Sequence, residues 1–178
     1  MTERQGRDSP EFSLWLLPEP GMAQRLDALI SRLAPLFGCP VFQAHLTVQG
    51  DLAGSRAGLE EILRTVALMP IGFELTRVGA SSAYFRSLYL DFRHQPDFSL
   101  LQREVAARTG TEVGLAPFPH LSLAYGEPAD PAKKDCLRND AELAALAGTI
   151  RFDRLALVRS SKDVPIEQWT PIQVRQLG

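Results

Sequence analysis

Two histidines occur in matching segments of the chain, and the repeated pattern suggests acid–base chemistry. Residues 42–50 read FQAHLTVQG and residues 118–126 read FPHLSLAYG, so each segment carries a histidine, an aliphatic residue, a hydroxyl residue and a second aliphatic residue. The chain has three histidines, and these segments hold two of them, His45 and His120. A single histidine of this kind is more often a structural residue, whereas two in the same local pattern favour a shared site.

The order of residues within each segment predicts where the side chains point. Successive side chains of a β-strand point to opposite faces, so His45 and Thr47 share one face of the first segment. His120 and Ser122 likewise share one face of the second, while the intervening aliphatic residues anchor both strands in a core. If the two strands are neighbours, both histidine–hydroxyl pairs face one cleft.

This set of side chains suits attack on a phosphodiester. The unperturbed pKa of histidine lies near neutrality, so one imidazole can be neutral while the other is protonated. The neutral imidazole accepts a proton from an attacking water, and the protonated one donates a proton to the leaving oxygen. The hydroxyls of Thr47 and Ser122 can donate hydrogen bonds to the non-bridging phosphate oxygens. We therefore expect a reaction without metal or other cofactor, since no metal-binding cluster or glycine-rich phosphate loop is recognisable.

Hydrophobic spacing predicts the strands and helices that position these groups. The predicted strands are residues 12–17, 42–48, 71–78, 84–92, 118–125, 150–158 and 168–177. The first predicted helix begins at Pro20 and is broken by Pro35, Gly38 and Pro40, and the other predicted helices span residues 59–66, 97–108 and 131–146. The third and fourth strands form a natural hairpin across the small residues 79–82. Alternating helices and half-polar strands predict an α+β fold of mostly antiparallel sheet with helices outside.

Composition limits the class of protein. The 178 residues are 45% hydrophobic and 22% charged, which is typical of one globular domain or of two small lobes that share a core. No stretch approaches the ~20 apolar residues that span a bilayer, and the polar start is no signal peptide. Cys39 and Cys136 are too few for a disulfide framework, and the sequence leaves open whether they pair. We expect a soluble cytoplasmic protein with a frayed N-terminus over residues 1–11.

The charge balance restricts the partners. Nineteen basic and twenty-one acidic residues leave a net charge of −2. A protein that grips long nucleic acid through the backbone needs a broad basic surface, so this class is disfavoured. A small phosphorylated ligand held by a local cluster remains compatible with the composition.

The tetrads at residues 45–48 and 120–123 resemble the paired motifs of the two-histidine phosphoesterase superfamily. Within it, the chain is most similar to the cyclic phosphodiesterases of the plant and yeast type, from about Phe12 onward. Further features that fit are Trp15 and Pro18 in the first strand, the helix after it, Phe42 before the first tetrad and Tyr125 after the second.

The resemblance implies a single bilobal domain, residues 1–178, with two pseudo-symmetric lobes around a central cleft. It also implies metal-independent hydrolysis of a small cyclic phosphodiester, such as a nucleoside 2′,3′-cyclic phosphate or ADP-ribose 1″,2″-cyclic phosphate. His45 and His120 match the catalytic positions of the family, and Thr47 and Ser122 match its phosphate-binding positions. Which histidine is the acid, and whether the product is a 2′- or a 3′-phosphate, stays open.

Aromatic residues are the candidates for contacts with the rest of the substrate. Tyr125 matches a tyrosine that lies near the phosphate or nucleoside in related enzymes. A regular strand would turn it away from His120, so we expect a bulge or strand end near Gly126. Other candidates for stacking on a base, worth about 1–3 kcal/mol, are Trp15, Tyr84 and Phe85, with core packing as the alternative. Arg86 could face phosphate or solvent, and Trp169 could pack in the core or rim the cleft.

Two other functions fit the same motifs. One is RNA-end processing, as in the 2′–5′ RNA ligase and RNA cyclic phosphodiesterase branch, which would need a basic track leading from the cleft. The other is a nucleotide-binding protein that keeps the fold but turns nothing over, although a binder would not need two acid–base histidines. The favoured hypothesis is a monomeric enzyme whose partner is a small cyclic-phosphate nucleotide, with neither membrane nor long nucleic acid involved.

Overall fold

The computed structural model describes residues 11–126, 130–161 and 163–178. In these ranges the strands are β1 (Phe12–Pro18), β2 (Leu46–Leu52), β3 (Ile71–Ala80), β4 (Leu88–Phe92), β5 (His120–Ala124), β6 (Thr149–Arg159) and β7 (Thr170–Gln176). The helices are α1 (Pro20–Phe37), α2 (Arg56–Thr65), α3 (Pro96–Thr109), α4 (Asp130–Asn139) and α5 (Ala141–Ala144). Short 3-10 turns occupy Tyr84–Arg86 and Ile166–Gln168.

The strands form one antiparallel sheet in the order β1-β2-β5-β4-β3-β6-β7. The first residues of β6 pair with β3, and its later residues pair with both β1 and β7. Strands β1 to β6 therefore close a circuit, and β7 is added at the side of β6. One half of the circuit contains β3, β4 and β5 and the other contains β1 and β2, with β6 common to both. The predicted α+β fold of mostly antiparallel sheet is confirmed.

The two faces of the sheet bury different groups. The main core lies on the face covered by the long helices and includes Leu46, Val48, Leu121 and Leu123 from the motif strands. A separate small cluster lies on the opposite face and contains Trp15, Leu17, Ala156 and Val158, with Trp169 packed against it. Full burial of a leucine or valine side chain contributes about 1.5–3 kcal/mol. The aliphatic residues of the motif strands therefore strongly determine which face of each strand is buried.

Helix α1 helps to position the segment before the first motif strand. It begins with Pro20, where a missing backbone N–H costs nothing, and ends at Gly38 in the left-handed conformation, φ 61°. The carboxylate of Asp27, on this helix, accepts a hydrogen bond of 2.7 Å from the backbone N–H of Ala44. The bond ties residues immediately before His45 to the helix, and β2 begins only at Leu46 rather than at residue 42 as predicted.

Three other predicted elements differ from the structure. The strand predicted from residue 84 begins at Leu88, because Tyr84–Arg86 form a 3-10 turn in the β3–β4 connection. The helix predicted over residues 131–146 is two helices separated at Asp140, whose carboxylate caps α5. Pro35, expected to end the first helix, lies inside it.

The remaining expectations concern the chain start, the cysteines and the membrane. Residues 1–10 of the expected frayed start lie outside the described ranges, while Glu11 is hydrogen-bonded through its backbone to Leu52 and Ser160. Cys39 and Cys136 are free thiols. Among the described residues, no helix has the length and apolar character needed to cross a membrane.

Two glycines let distant backbones touch at the end of β2. The N–H of Gly50 donates a hydrogen bond of 2.7 Å to the carbonyl of Gly114. Gly114 has φ 79°, and a Cβ atom at this position would collide with the carbonyl oxygen of Gly50. Only a residue without a side chain fits both requirements.

We expect Gly114→Ala to lower the free energy of unfolding by about 2 kcal/mol or more, because left-handed strain and a backbone collision add. Urea unfolding followed by circular dichroism measures this change. Gly21→Ala is the matched control: no atom approaches its Cβ position, and a change within about 0.5 kcal/mol is expected. Equal unfolding midpoints for the two variants would contradict the prediction.

Candidate active site

The pairing of β2 with β5 brings the two sequence motifs together. Leu46 is the antiparallel partner of Leu121. Continued by one residue to each side, this register sets His45 across from Ser122 and Thr47 across from His120. Since side chains alternate, all four point to the face opposite the main core. We call these four residues the motif quartet.

Both histidines of the quartet are anchored in the same way. The Nδ1 atom of His45 lies 2.6 Å from the carbonyl oxygen of Gln43, and Nδ1 of His120 lies 2.9 Å from that of Phe118. A carbonyl oxygen can only accept, so Nδ1 carries the proton and Nε2 is unprotonated in the neutral ring. In the described part of the chain, no hydrogen-bond partner occupies either Nε2 atom, which leaves both available to a ligand.

His45 is enclosed by aromatic rings. Its imidazole stacks on the indole of Trp15 with ring centres 3.6 Å apart and planes 10° from parallel. Only 6% of the residue is exposed. Burial lowers the pKa of His45 to about 4, and the nearby charge of His120 acts in the same direction, against the hydrogen bond to Gln43. His45 is therefore neutral at pH 7.

His120 lies in a more polar environment. Its ring packs against Phe118 at 4.9 Å and against Tyr89 at 6.0 Å. Burial is the main cause that lowers the pKa of His120, and the positive charge of Arg86 adds to it, while the hydrogen bond to Phe118 and the carboxylate of Asp91 oppose it. Asp91 is the direct partner of His120 in the β4–β5 register. The protonated form of this imidazole therefore has a nearby counter-charge.

The two hydroxyls of the quartet are not equivalent. Ser122 Oγ donates a hydrogen bond of 2.8 Å to the carbonyl of Phe85. Thr47 has no side-chain hydrogen bond within the described residues, so its proton is free to donate to a ligand. The sequence predicted both hydroxyls as phosphate donors, and in this structure the Ser122 hydroxyl donates to the Phe85 carbonyl instead.

The predicted aromatic residues fall into a buried and an exposed group. Trp15 is 1% exposed and Tyr125 2% exposed. Trp15 lies beneath His45, and Tyr125 stacks on Phe42 at 3.8 Å. Burial raises the pKa of the Tyr125 phenol. Strand β5 ends just before Tyr125, at Ala124, as its position required. These two rings support the site from below and offer little surface to a ligand.

The exposed group of aromatic residues lines the cleft, or groove, that the motif quartet faces. Tyr84 and Phe85 are each 43% exposed on their 3-10 turn. Phe85 packs against Trp169 with ring centres 5.9 Å apart and planes 30° from parallel. Trp169 also meets Trp15 edge to face at 6.1 Å. The sequence left the position of Trp169 open, and the structure places it on the rim of the cleft.

Two adjoining cavities lie beside His45. The first has a volume of about 250 Å³ and is lined by Ser13, Trp15, His45, Gly50, Asp51, Phe85, Ser160, Ser161 and Trp169. The second, of about 430 Å³, shares Phe85, Ser161 and Trp169 with the first and extends to Tyr84 and Asp163. The serines were missed from the sequence because only the pairing of β1 with β6 brings Ser13 close to Ser160.

The site chemistry rests on imidazoles and hydroxyls. Within the described ranges, no group of three or more His, Cys, Asp or Glu side chains is arranged to hold a metal ion. A phosphate between the two Nε2 atoms would meet one imidazole on each side and the hydroxyl of Thr47. This arrangement can move one proton to each side of a phosphorus centre.

The chain is similar to known proteins over nearly its whole length. The model of a family described as "Cyclic phosphodiesterase-like protein" matches residues 11–177. A cyclic phosphodiesterase of Arabidopsis thaliana is 24% identical over 174 residues, which cover 94% of this chain and 95% of the relative.

Solved structures share the fold. A phosphoesterase crystal structure has a TM-score of 0.61 at 16% identity, covering 96% of this chain and 99% of its own. E. coli LigT complexed with 3′-AMP has a TM-score of 0.58 at 17% identity, covering 94% and 97%. LigT complexed with phosphate has a TM-score of 0.58 at 15% identity, covering 96% and 98%.

The buried state of His45 predicts a dependence of stability on pH. The unfolded chain binds a proton at this imidazole below its ordinary pKa of 6.5, whereas the folded chain does so only near pH 4. The contribution of His45 to the free energy of unfolding is therefore fully present above pH 6.5. It is lost as the pH falls towards 4, by about 3 kcal/mol in total.

We expect His45→Gln to lose less stability between pH 7 and pH 4.5 than the wild type, as measured by urea unfolding at each pH. His94→Gln is the control, because His94 is exposed before α3, and it should follow the wild type. If His45→Gln shows the full wild-type dependence, the imidazole of His45 is not held neutral by burial.

Proposed function

This chain belongs to the cyclic phosphodiesterase-like family of two-histidine phosphoesterases, which makes it a phosphodiesterase-like hydrolase, and we propose that it opens a small cyclic phosphodiester with His45 and His120 as its acid–base pair. The observation that carries the proposal is the shared anchoring of the two imidazoles. Each donates Nδ1–H to a backbone carbonyl and leaves Nε2 free on the same face of the sheet. The reaction is water attack on phosphorus, without metal.

The electrostatic difference between the histidines supports a division of roles. His45 is neutral because burial holds its pKa at about 4, so its Nε2 accepts a proton from the attacking water. Burial lowers the pKa of His120 as well, but the Asp91 carboxylate opposes this shift, so of the two imidazoles His120 is the one that we assign to donate Nε2–H to the leaving oxygen. The water oxygen bonds to phosphorus as the bond to the leaving ring oxygen breaks. Proton exchange with solvent restores both imidazoles.

The groove supports a small nucleotide substrate. Tyr84 and Phe85 are exposed beside the histidines, and with Trp169 they form the proposed platform for a base. Trp15 and Tyr125 hold this platform and His45 from below. Thr47 donates to a non-bridging phosphate oxygen, and Ser122 reaches the phosphate if it releases the Phe85 carbonyl. The complexes of LigT with phosphate and 3′-AMP are consistent with ligands of this size.

The charges of the groove weigh against RNA-end processing. A polymeric RNA needs a basic track that leads away from the cleft. The described residues that line the two cavities include the carboxylates of Asp51 and Asp163, which repel a phosphate backbone. A nucleoside 2′,3′-cyclic phosphate or ADP-ribose 1″,2″-cyclic phosphate fits this lining better than a long strand.

The first test is incubation with adenosine 2′,3′-cyclic phosphate in EDTA, followed by phosphorus NMR. We expect conversion to a single adenosine monophosphate. His45→Ala and His120→Ala should each lower kcat/KM by at least about 100-fold, because each removes a proton-transfer group. His94→Ala, which changes the third histidine of the chain, should keep the wild-type rate.

Three outcomes would contradict this proposal. Wild-type protein that converts neither this substrate nor ADP-ribose 1″,2″-cyclic phosphate would favour a binding protein. Activity that survives in both alanine variants would exclude the histidine mechanism. Activity that EDTA abolishes and added metal restores would exclude a metal-free reaction.

A second test separates the acid from the base. In catechol cyclic phosphate the leaving oxygen is a phenolate, which needs less help from an acid than a ribose oxygen. Loss of the acid His120 should therefore cost at least about 10-fold less in kcat/KM with catechol cyclic phosphate than with adenosine 2′,3′-cyclic phosphate. His45→Ala, which lacks the base, should be equally impaired with both substrates, and the reverse pattern would exchange the two roles.

A further inference from the structure

Arg86 lies beside the motif quartet, although neither cavity includes it. It is the last residue of the 3-10 turn that carries Phe85. Its guanidinium carbon lies 4.8 Å from the centre of the Phe118 ring and 5.6 Å from that of Tyr89. The imidazole of His120 packs on the same two rings. Tyr89 is the register partner of Ser122, so this packing lies on the face of the sheet that carries the quartet.

The guanidinium of Arg86 packs on two aromatic rings and has no acidic partner among the residues that the structure describes. Two other arginines of the β3–β4 hairpin are paired, Arg77 with Asp91 at 2.9 Å and Arg93 with Glu74 at 3.2 Å. Arg86 forms no ion pair with any described residue, and its Nε atom is buried with no hydrogen-bond partner. A buried donor is normally satisfied in a folded protein, so an unsatisfied one beside a candidate site calls for an acceptor that arrives with a ligand.

The other donors of the motif quartet point to a phosphate oxygen as this acceptor. A phosphate between the histidines presents non-bridging oxygens that keep their negative charge through the reaction. Thr47 can donate to them in the first half of the site. In the second half, the proton of Ser122 is used by the carbonyl of Phe85. Arg86 follows Phe85 directly, and its planar guanidinium is suited to phosphate oxygens.

We propose that Arg86 binds a non-bridging oxygen of the substrate phosphate beside His120 and supplies the donor that Ser122 does not. This inference rests on the proposed function, since it needs a phosphate between the two histidines. The rings of Phe118 and Tyr89 hold the guanidinium before the ligand binds, so little side-chain entropy is lost on binding. The same positive charge disfavours a proton on His120 in the empty site, and the anionic phosphate offsets this effect once bound.

The experiment measures by calorimetry how tightly Arg86→Gln and the wild type bind four ligands. These are adenosine 2′-monophosphate, adenosine 3′-monophosphate, adenosine and inorganic phosphate. We expect affinity for the ligands that carry phosphate to fall by about 10- to 100-fold, as for a hydrogen bond to a charged group. Affinity for adenosine should not change, because it has no phosphate. NMR titration should also show a higher pKa for His120 in the variant. Arg86→Lys keeps the charge and the alkyl chain, and should recover part of the affinity.

The matched control is Arg93→Gln, which removes an arginine that is paired with Glu74 just after β4. It should bind every ligand as the wild type does. If Arg86→Gln binds phosphate ligands with unchanged affinity, the inference is wrong. If Arg86→Gln loses affinity for adenosine and for phosphate ligands equally, the guanidinium is only a packing group and the inference is wrong. If Arg86→Gln does not fold, Arg86→Lys and Arg86→Met are compared instead. Equal phosphate binding by these two variants would likewise make the guanidinium a packing group and overturn the inference.

The two proposals fail in distinguishable ways. If Arg86→Gln hydrolyses cyclic phosphate and binds phosphate ligands as well as the wild type does, only the role of Arg86 is overturned. Protein that hydrolyses nothing but binds inorganic phosphate through Arg86 overturns hydrolysis and retains the phosphate contact. Wild-type protein that neither hydrolyses a cyclic phosphate nor binds any of the phosphate ligands overturns both.

Discussion

The geometry of the site depends on a short antiparallel contact between β2 and β5. Leu46 and Leu121 face each other and are fully buried in the main core. Because side chains alternate along a strand, burying these two leucines turns the flanking histidine and hydroxyl of each motif to the other face. A slip of one residue in either strand would place a leucine in the cleft and an imidazole in the core. Hydrophobic burial therefore sets the position of the polar groups.

The two halves of the site have the same backbone anchoring but different surroundings. In each half Nδ1 bonds to the carbonyl two residues earlier, which fixes the tautomer and the direction of Nε2. The first half adds an indole beneath the imidazole and strong burial. The second half adds Asp91 and Arg86, two opposite charges, around a more accessible ring. An internal repeat thus provides two like groups, and their neighbours make them chemically unlike.

Aromatic packing connects the floor of the cleft to its rim. Trp15 stacks under His45, meets Trp169 edge to face, and Trp169 packs on Phe85. Phe85 in turn meets Tyr125 edge to face at 5.3 Å. These rings come from β1, the connection before β7, the β3–β4 turn and the end of β5. The orientation of the catalytic candidate and the shape of the groove are therefore set by one continuous set of contacts.

The sequence by itself determined what depends on neighbours along the chain. The period of two in the motifs predicted which side chains share a face, and the hydrophobic spacing predicted most strands and helices. The resemblance of the two tetrads to two-histidine phosphoesterases predicted the family that the comparisons show. These features are local, since each is written into a few consecutive residues.

Only the tertiary structure decided what depends on distant partners. The bond from Ala44 to Asp27 keeps residues 42–45 out of β2. The carbonyl of Phe85, 37 residues away in the chain, accepts a hydrogen bond from the Ser122 hydroxyl, so the two hydroxyls differ. Among the described residues Arg86 has no acidic partner, while Arg77 and Arg93 each have one, and the order of charges along the chain does not reveal this difference. Such contacts follow from which strands pair and how closely their side chains pack, and no short segment of the chain encodes them alone.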